Sequence, residues 1–215
     1  MEKYPTQNNS TNSTTKWDTL GQDEINTFED IKTFWENKKD EINDTINPIL
    51  DKISQDDYIY AVNAYDLSKN VGDQSLIDIV SRALDMAPPS FSEDFSLDSV
   101  GGYVFGRNKI LLNREKLKQN LQEEGIGQEE MPFHELGTIA HETWHAHQEQ
   151  VARKGGDRSD IYREGIKNYK DSANFCENDD WSYYGQIIEL EAEYFGYRIG
   201  KELRKAANYL DEIDN

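Results

Sequence analysis

The chain has 215 residues, of which 36% are hydrophobic and 30% charged, with a formal net charge of −19 and an isoelectric point near 4.5. This length fits one domain with an accessory segment. The acidity argues against nucleic acid and anionic membranes as partners, because both attract basic surfaces. No apolar run reaches the roughly 18 residues of a membrane span, so we expect no transmembrane segment.

The compartment is constrained by two features of the sequence. Cys176 is the only cysteine, so no disulfide forms within the chain, which favours a reducing compartment. The opening residues, MEKYPTQNNSTNSTTKW, lack the apolar stretch of a signal peptide. We therefore expect a cytoplasmic protein, or one that is exported by a route without a classical signal peptide.

Two segments precede the predicted main domain. Residues 1–16 are predicted to be a disordered tail, because they are polar, rich in Asn, Ser and Thr, and without hydrophobic periodicity. Residues 17–57 form a predicted helical segment, in which Pro48 is expected to interrupt one helix and start a second. This segment is either a helical hairpin that packs on the main domain, the commoner arrangement, or an arm that docks a protein partner.

Residues 58–215 are predicted to form the main domain. The stretch SLIDIVSRALDMAPP is typical of an amphipathic helix that ends before Pro88. The helical spacing of hydrophobic residues ends before GGYVFGRNKILLN. In this stretch residues 103–105 and 109–112 predict the two strands of an antiparallel hairpin. A loop rich in Gly, Gln and Glu is expected to follow.

Three helices are predicted after this loop. The first begins near Pro132 and ends at Gly155, and its apolar stripe indicates that it is half-buried. A shorter helix is expected around residues 161–169. The last helix has one continuous buried face, made of Ile188, Ala192, Phe195, Ile199, Leu203, Ala206 and Leu210. These patterns predict an α+β fold that is mainly helical, with one small antiparallel sheet.

The first of these helices carries HETWH at residues 141–145. Residues four apart lie on one face of a helix, about 6 Å apart, so His141 and His145 can bind one metal ion. Glu142 lies about 100° further round the helix, where it can reach a water on the metal. The motif therefore predicts two zinc ligands and a general base, Glu142. Gln148 continues the histidine face by one turn, where it can touch the substrate or a ligand.

A catalytic zinc site needs a third protein ligand and an open position. The sequence GQIIELEAEYFG offers carboxylates on the last helix. Glu189 and Glu191 flank its apolar stripe at similar angles, so the helical pattern does not choose between them. Glu189 and Glu193 share a face, so that one can bind metal while the other holds a ligand histidine by its distal N–H. We rank Glu189 first as ligand and Glu191 as the alternative ligand. Glu193 is then the residue that accepts a hydrogen bond from the distal N–H of a ligand histidine.

The motif and the downstream acids together resemble the gluzincin branch of the zincin metallopeptidases, whose pattern is H-E-x-x-H followed by a helix with E-x-x-x-D. The matching residues are His141, Glu142, His145, Glu189 and Glu193. Glu193 stands where that pattern has Asp. The H-E-x-x-H-x-x-Q form, which ends on Gln148, is similar to that of small bacterial and phage-associated zincin-like domains. The resemblance covers roughly residues 100–200.

The resemblance implies a zincin-like core, made of the hairpin, the active-site helix and the third-ligand helix. It also implies one Zn²⁺ per chain and hydrolysis of a peptide or protein substrate by a zinc-activated water, with Glu142 as general base. Zincins bind extended peptide along an edge strand, which implies residues 109–113 for that strand. Tyr183 and Tyr184 precede the third-ligand helix and are candidate donors to the oxyanion, or else packing aromatics.

Two other functions remain open at this point. The first is a zincin-like acidic module that binds metal but turns over little or no substrate, and serves in binding or assembly. The second is a metal-free acidic protein that acts through its interactions. In the first case the acidic surface and residues 17–57 would carry the function.

Overall fold

The computed structural model describes residues 28–169 and 186–214, with the side chains of residues 32–169 and 186–213. The predicted tail, Tyr183 and Tyr184 lie outside these ranges. The described helices are α1 (Phe28–Leu50), α2 (Gln55–Leu67), α3 (Lys69–Ala83), α4 (Arg114–Glu123), α5 (Met131–Lys154), α6 (Ser159–Lys167) and α7 (Ile187–Asp214). The described strands are β1 (Ser90–Glu93), β2 (Gly101–Val104) and β3 (Lys109–Leu112). The fold is thus mainly helical, as predicted, and none of these helices has the length and apolar character of a membrane span.

The two longest helices, α5 and α7, pack against each other at the centre of the molecule. Many of their apolar residues recur at helical spacing and are fully buried, as in Trp144 and Phe195, whose ring centroids are 4.6 Å apart. The predicted start of α5 near Pro132 and its end at Gly155 are both confirmed. Pro132 suits the first turn because an N–H there has no partner within the helix.

Glycines bring the backbones of α5 and α7 close together. A Cβ atom on Gly196 would lie 2.6 Å from the carbonyl oxygen of Gly137, and one on Gly200 would lie 3.1 Å from that of Phe133. Any side chain at these positions would therefore push the helices apart. The glycines hold α7 at a distance from which its first turn reaches the histidine face of α5.

The described part of the N-terminal segment packs on the rest of the chain. Ile42, Ile46 and Leu50 of α1 are buried in the same hydrophobic core as α5 and α7. The ring of Trp35 lies 4.9 Å from that of Tyr194 on α7. The commoner of the two predicted arrangements, a helical segment that packs on its own domain, is therefore the one adopted by α1.

The predicted break at Pro48 is wrong, because α1 continues through Pro48 to Leu50. The proline removes one backbone hydrogen bond, but it lies in the last turn, where Leu50 remains buried in the core. The second helix begins at Gln55, where Ser54 accepts from the N–H of Asp57 and its own N–H donates to the Asp57 carboxylate. This reciprocal capping box, and not the proline, sets the start of α2.

The hairpin is confirmed, but the sheet is mixed rather than antiparallel. Strands β2 and β3 pair antiparallel, with Tyr103 opposite Ile110, whereas β1 pairs parallel with β3. The strand order β1-β3-β2 places β3 in the centre. The implied edge strand at residues 109–113 is therefore wrong: β1 and β2 are the edges, and β2 is the edge that lies on α5.

A carboxylate of α5 fixes the hairpin above the helix. The Glu149 side chain accepts hydrogen bonds from the Tyr103 hydroxyl at 2.5 Å and from the Gly106 N–H at 2.7 Å. It also pairs with Arg153, one turn further along α5. These bonds tie both strand β2 and the turn after it to α5.

The loop predicted after the hairpin is wrong for residues 114–123, which form α4. Asn113 caps this helix by accepting from the Lys116 N–H at 3.0 Å. Leu117 and Leu121 are the only apolar residues of α4, which is why hydrophobic periodicity did not reveal it. Arg114, at its first position, is buried and pairs with acids of three other elements, namely Asp73, Glu93 and Glu135.

Candidate metal centre

The centre lies where the middle of α5 faces the first turn of α7. The Nε2 atoms of His141 and His145 are 3.0 Å apart. Glu189 completes the group, with Oε1 at 3.3 Å from His145 Nε2 and Oε2 at 3.5 Å from His141 Nε2. The side chains are 12%, 4% and 0% exposed for His141, His145 and Glu189 respectively. Two imidazoles and a carboxylate thus converge in the protein interior.

The spacing of these donor atoms fits a metal ion. A tetrahedral ion with ligand bonds of 2.0–2.1 Å separates its ligand atoms by about 3.3 Å. The two Nε2 atoms lie 3.0 Å apart, and each lies 3.3–3.5 Å from one oxygen of the Glu189 carboxylate. Within the described residues, His141, His145 and Glu189 are also the only group of three or more potential ligands whose donor atoms all lie within 4.8 Å of one another. This buried group can therefore hold a metal ion.

The sequence builds the centre through local helix geometry and one long-range contact. The four-residue spacing stacks His141 and His145 on one face of α5, and their ring centroids are 4.7 Å apart. The close approach of Gly137 and Gly196 then brings α7 onto that face. Glu189 lies about two turns before Gly196 and so reaches the imidazoles.

Glu142 lies beside the group and is buried. Its Oε1 atom is 3.9 Å from His141 Nε2, which is beyond hydrogen-bond distance. Strand β2 covers this residue, since a Cβ on Gly101 would lie 3.0 Å from Glu142 Oε1 and 2.7 Å from a methyl carbon of Thr138. Burial raises the pKa of Glu142, partly offset by the nearby histidines. A raised pKa suits a group that takes up a proton during a reaction.

The electrostatics of the centre favour a cation. Burial disfavours the protonated form of His141, but the carboxylates of Glu193 and Glu189 outweigh this effect and raise its pKa to about 10. Burial also opposes ionisation of Glu189, but His145 and His141 hold its pKa far below the usual range. The carboxylates therefore bind positive charge at this point, either as protons on the imidazoles or as a metal ion that displaces those protons.

Glu191, the alternative third ligand, lies outside the group. Its carboxylate accepts from Trp144 Nε1 at 3.3 Å and from Gln148 Nε2 at 3.2 Å, and it forms an ion pair with Arg158. The group of potential ligand atoms that lie within 4.8 Å of one another does not include Glu191. Of the two acids that the helical pattern left equivalent, the structure brings only Glu189 to the histidines.

The remaining predicted residues have distinct positions. Gln148 contacts a histidine of the group, with its Oε1 at 2.9 Å from His145 Nδ1. Glu193 lies beside His141, with Oε1 at 3.7 Å from Nδ1, but this exceeds a hydrogen-bond distance and the side chain is 56% exposed. Tyr183 and Tyr184 lie outside the described residues, so their predicted contact with the oxyanion stays a prediction.

Two residues near the centre were not predicted. Phe105 lies 6.2 Å from the ring of His145 and 5.7 Å from that of Tyr169, measured between centroids, and forms an apolar wall beside the group. The sequence predicted Phe105 as the end of a strand, but nothing in the pattern indicated that it lies beside the metal centre. Arg158, which follows Gly155 and Gly156 in the chain, had no predicted role, yet it forms an ion pair with the buried Glu191.

Comparison of the chain with protein-family models, with curated proteins and with solved structures found no match. The function of the chain is therefore inferred from its own residues. The features available for that inference are the buried group of His141, His145 and Glu189, the carboxylate of Glu142 beside it, and strand β2 above it.

Proposed function

We propose that the chain is a zinc-dependent peptidase with a zincin-like core of the gluzincin type, in which the β2–β3 hairpin, α5 and α7 form the catalytic unit. The observation that carries this proposal is the buried group of two histidines and Glu189, with donor atoms 3.0–3.5 Å apart. Three protein ligands are the set that catalytic zinc sites use, because the fourth position then stays open to water or substrate.

The choice of zinc follows from the donors and from Glu142. Two imidazoles and one carboxylate also suit non-haem iron. A buried carboxylate 3.9 Å from His141 Nε2 favours hydrolysis instead, because hydrolysis needs a base next to the attacking water. When bound, a zinc ion supplies Lewis-acid chemistry, by which it polarises a carbonyl group and lowers the pKa of water.

In this proposal the chain supplies the proton transfers and the substrate cleft. Glu142 takes a proton from the attacking water and passes it to the amide nitrogen as the C–N bond breaks. Within the described residues, strand β2 is an edge of the sheet and covers Glu142, so its outer backbone groups are suited to bind an extended peptide or protein segment. This assigns the substrate-binding edge to β2 in place of residues 109–113.

The test is the Glu142→Gln variant, which keeps the shape of the side chain and removes the base. We expect the zinc-loaded wild type to cleave peptides in a mixed library, detected by mass spectrometry. Glu142→Gln should retain one zinc per chain and lose about 10²–10⁴-fold in cleavage rate, the usual contribution of general acid–base catalysis. Glu202→Gln, a matched change in a surface ion pair of α7, should keep full activity.

Two results would overturn the peptidase assignment. One is wild-type protein that binds zinc stoichiometrically and cleaves no peptide in the library. This outcome would support a zincin-like module for binding or assembly. The other is Glu142→Gln protein that cleaves at the wild-type rate, which would mean that the observed cleavage does not come from this centre.

A further inference from the structure

We propose that Glu191 is a positioning residue for the metal centre. It holds the side-chain amide of Gln148 in one orientation, and Gln148 in turn fixes the tautomer of His145. This inference rests on the metal-binding part of the proposed function and is independent of peptidase activity.

The orientation of the Gln148 amide follows from its partners. Its Nε2 atom lies 2.9 Å from the carbonyl oxygen of Ile188 and 3.2 Å from Oε2 of Glu191. A backbone carbonyl can only accept a hydrogen bond, so the nitrogen side of the amide must face Ile188. The oxygen side must then face His145, where Oε1 lies 2.9 Å from Nδ1.

This orientation determines which nitrogen of His145 carries the proton. An amide oxygen can only accept, so Nδ1 of His145 must be the donor. In the neutral imidazole Nε2 then has a free lone pair. That atom faces the centre, at 3.0 Å from His141 Nε2 and 3.3 Å from Glu189 Oε1. Gln148 therefore selects the tautomer that can bind a metal through Nε2.

Glu191 is needed because Ile188 accepts only one of the two N–H groups of the amide. The Glu191 carboxylate takes the other N–H and is itself fully buried. Its second oxygen pairs with Arg158, and Arg158 donates to Glu41 of α1 at 2.7 Å. Arg158, at the start of α6, and Glu41 of α1 together fix the position of the Glu191 carboxylate. The carboxylate can therefore hold the Gln148 amide in one orientation.

Arg158 is itself held in an unusual backbone conformation. Its φ of 68° lies in the left-handed region, which a residue other than glycine adopts only at a cost in free energy. The ion pairs with Glu41 and Glu191 compensate that cost. A strained residue with compensating ion pairs is expected where a side chain must be held in one position. Here the side chain that Arg158 holds is the carboxylate of Glu191.

The test compares Gln148→Met, Glu191→Gln and the double variant by two measurements. Imidazole ¹⁵N shifts of the metal-free protein report the His145 tautomer, and competition with a chromophoric chelator gives the Zn²⁺ affinity. We expect an Nδ1–H tautomer in the wild type at a pH where His145 is neutral. Gln148→Met should lose this preference and about 10–100-fold in affinity, the range for outer partners of ligand histidines. Glu191→Gln should change both readouts in the same direction.

The double variant distinguishes positioning from a general structural role. If Glu191 acts through Gln148, the double variant should bind Zn²⁺ no more weakly than Gln148→Met alone, because coupled residues are not additive. Glu202→Gln, on the same helix, should change neither readout. The inference is overturned if Glu191→Gln keeps the wild-type tautomer and affinity, or if its loss adds in full to that of Gln148→Met.

Failure of the metal assignment would be recognised separately. A wild-type protein that binds no Zn²⁺ contradicts the proposed function, while the tautomer in the metal-free protein still tests the role of Glu191. If Glu191→Gln does not fold because Arg158 has lost one of its two carboxylate partners, Arg158→Gln combined with Glu191→Gln removes both charges and is measured in the same way. This combination should also lose the Nδ1–H preference, and retention of that preference would overturn the inference.

Discussion

Glu189 and Glu191 are two residues apart on α7 and both are fully buried, yet they have different partners. A buried carboxylate is costly unless it is paired. Glu191 is paired with the permanent charge of Arg158, so it is neutralised without a metal. Glu189 lies 3.5 Å from His141 Nε2 and 3.3 Å from His145 Nε2, and these imidazoles carry charge only when protonated. A divalent cation can take the place of those protons beside the Glu189 carboxylate.

We expect Glu189→Gln to weaken Zn²⁺ binding far more than the loss of an outer hydrogen bond does, because it removes an anionic ligand. The decrease in affinity should exceed about 100-fold, measured by chelator competition. Glu193→Gln is the matched control, since this half-exposed acid lies 3.7 Å from His141 Nδ1 and outside the group. Equal effects of the two substitutions would contradict the assignment of Glu189 as the third ligand.

The predictable part of the centre is the part encoded locally. His141, His145 and Glu142 have a fixed geometry on any helix, so their arrangement followed from spacing alone. The choice between Glu189 and Glu191 did not, because it depends on Arg158, 33 residues away from Glu191 in the chain. A residue whose partner is that distant gives no periodic signal in the sequence.

Among the elements, the contact between α5 and α7 determines whether the ligands meet. Each helix was predictable from its apolar stripe, but their separation depends on the glycines at their crossing. The carbonyl oxygen of Gly137 occupies the space where a side chain on Gly196 would lie. The contact is therefore a condition for Glu189 to reach the histidines.

We expect Gly196→Ala to destabilise the fold and to weaken Zn²⁺ binding. Overpacking at a tight contact costs about 1–3 kcal/mol, offset in part by the gain of about 1 kcal/mol from replacing glycine in a helix. Denaturant unfolding gives the first effect and chelator competition the second. Tyr197→Ala, at the exposed next residue of α7, should leave Zn²⁺ affinity unchanged. Wild-type Zn²⁺ affinity in Gly196→Ala would mean that the close approach does not position Glu189.

The sheet illustrates the limit of sequence patterns for whole elements. The hairpin of β2 and β3 was predictable because its strands are close in sequence. The parallel pairing of β1 was not, since SFSE has no alternation and its partner β3 begins 19 residues after Ser90. That pairing makes β3 central, so that β2, next to Glu142, is an edge strand among the described residues.

At the scale of the whole molecule, the metal centre is part of a single core that includes α1. Buried residues of α1 share the core with α5 and α7, and Glu41 of α1 pairs with Arg158, the partner of Glu191. The N-terminal helix therefore supports the centre through both apolar packing and an ion pair. A partner that bound α1 would act on a helix that is already packed in the core.

The net charge of −19 gives the protein a negative field that attracts cations without specificity. Specific binding requires donor atoms that are fixed, buried and close together, and this is what α5 and α7 provide. A metal that binds only the folded protein stabilises it, by about 2.7 kcal/mol when the free metal concentration is 100 times Kd. Metal binding at the centre should therefore raise the free energy of unfolding by a measurable amount.

The most direct test of the metal centre is calorimetric titration of the metal-free protein with Zn²⁺, accompanied by thermal unfolding at each zinc concentration. We expect one saturable site per chain and a Tm that rises with free zinc. Substitution of His141 and His145 by Ala should remove both effects. A titration without saturable heat, together with a Tm that zinc leaves unchanged in the wild type, would contradict a metal ion bound by His141, His145 and Glu189.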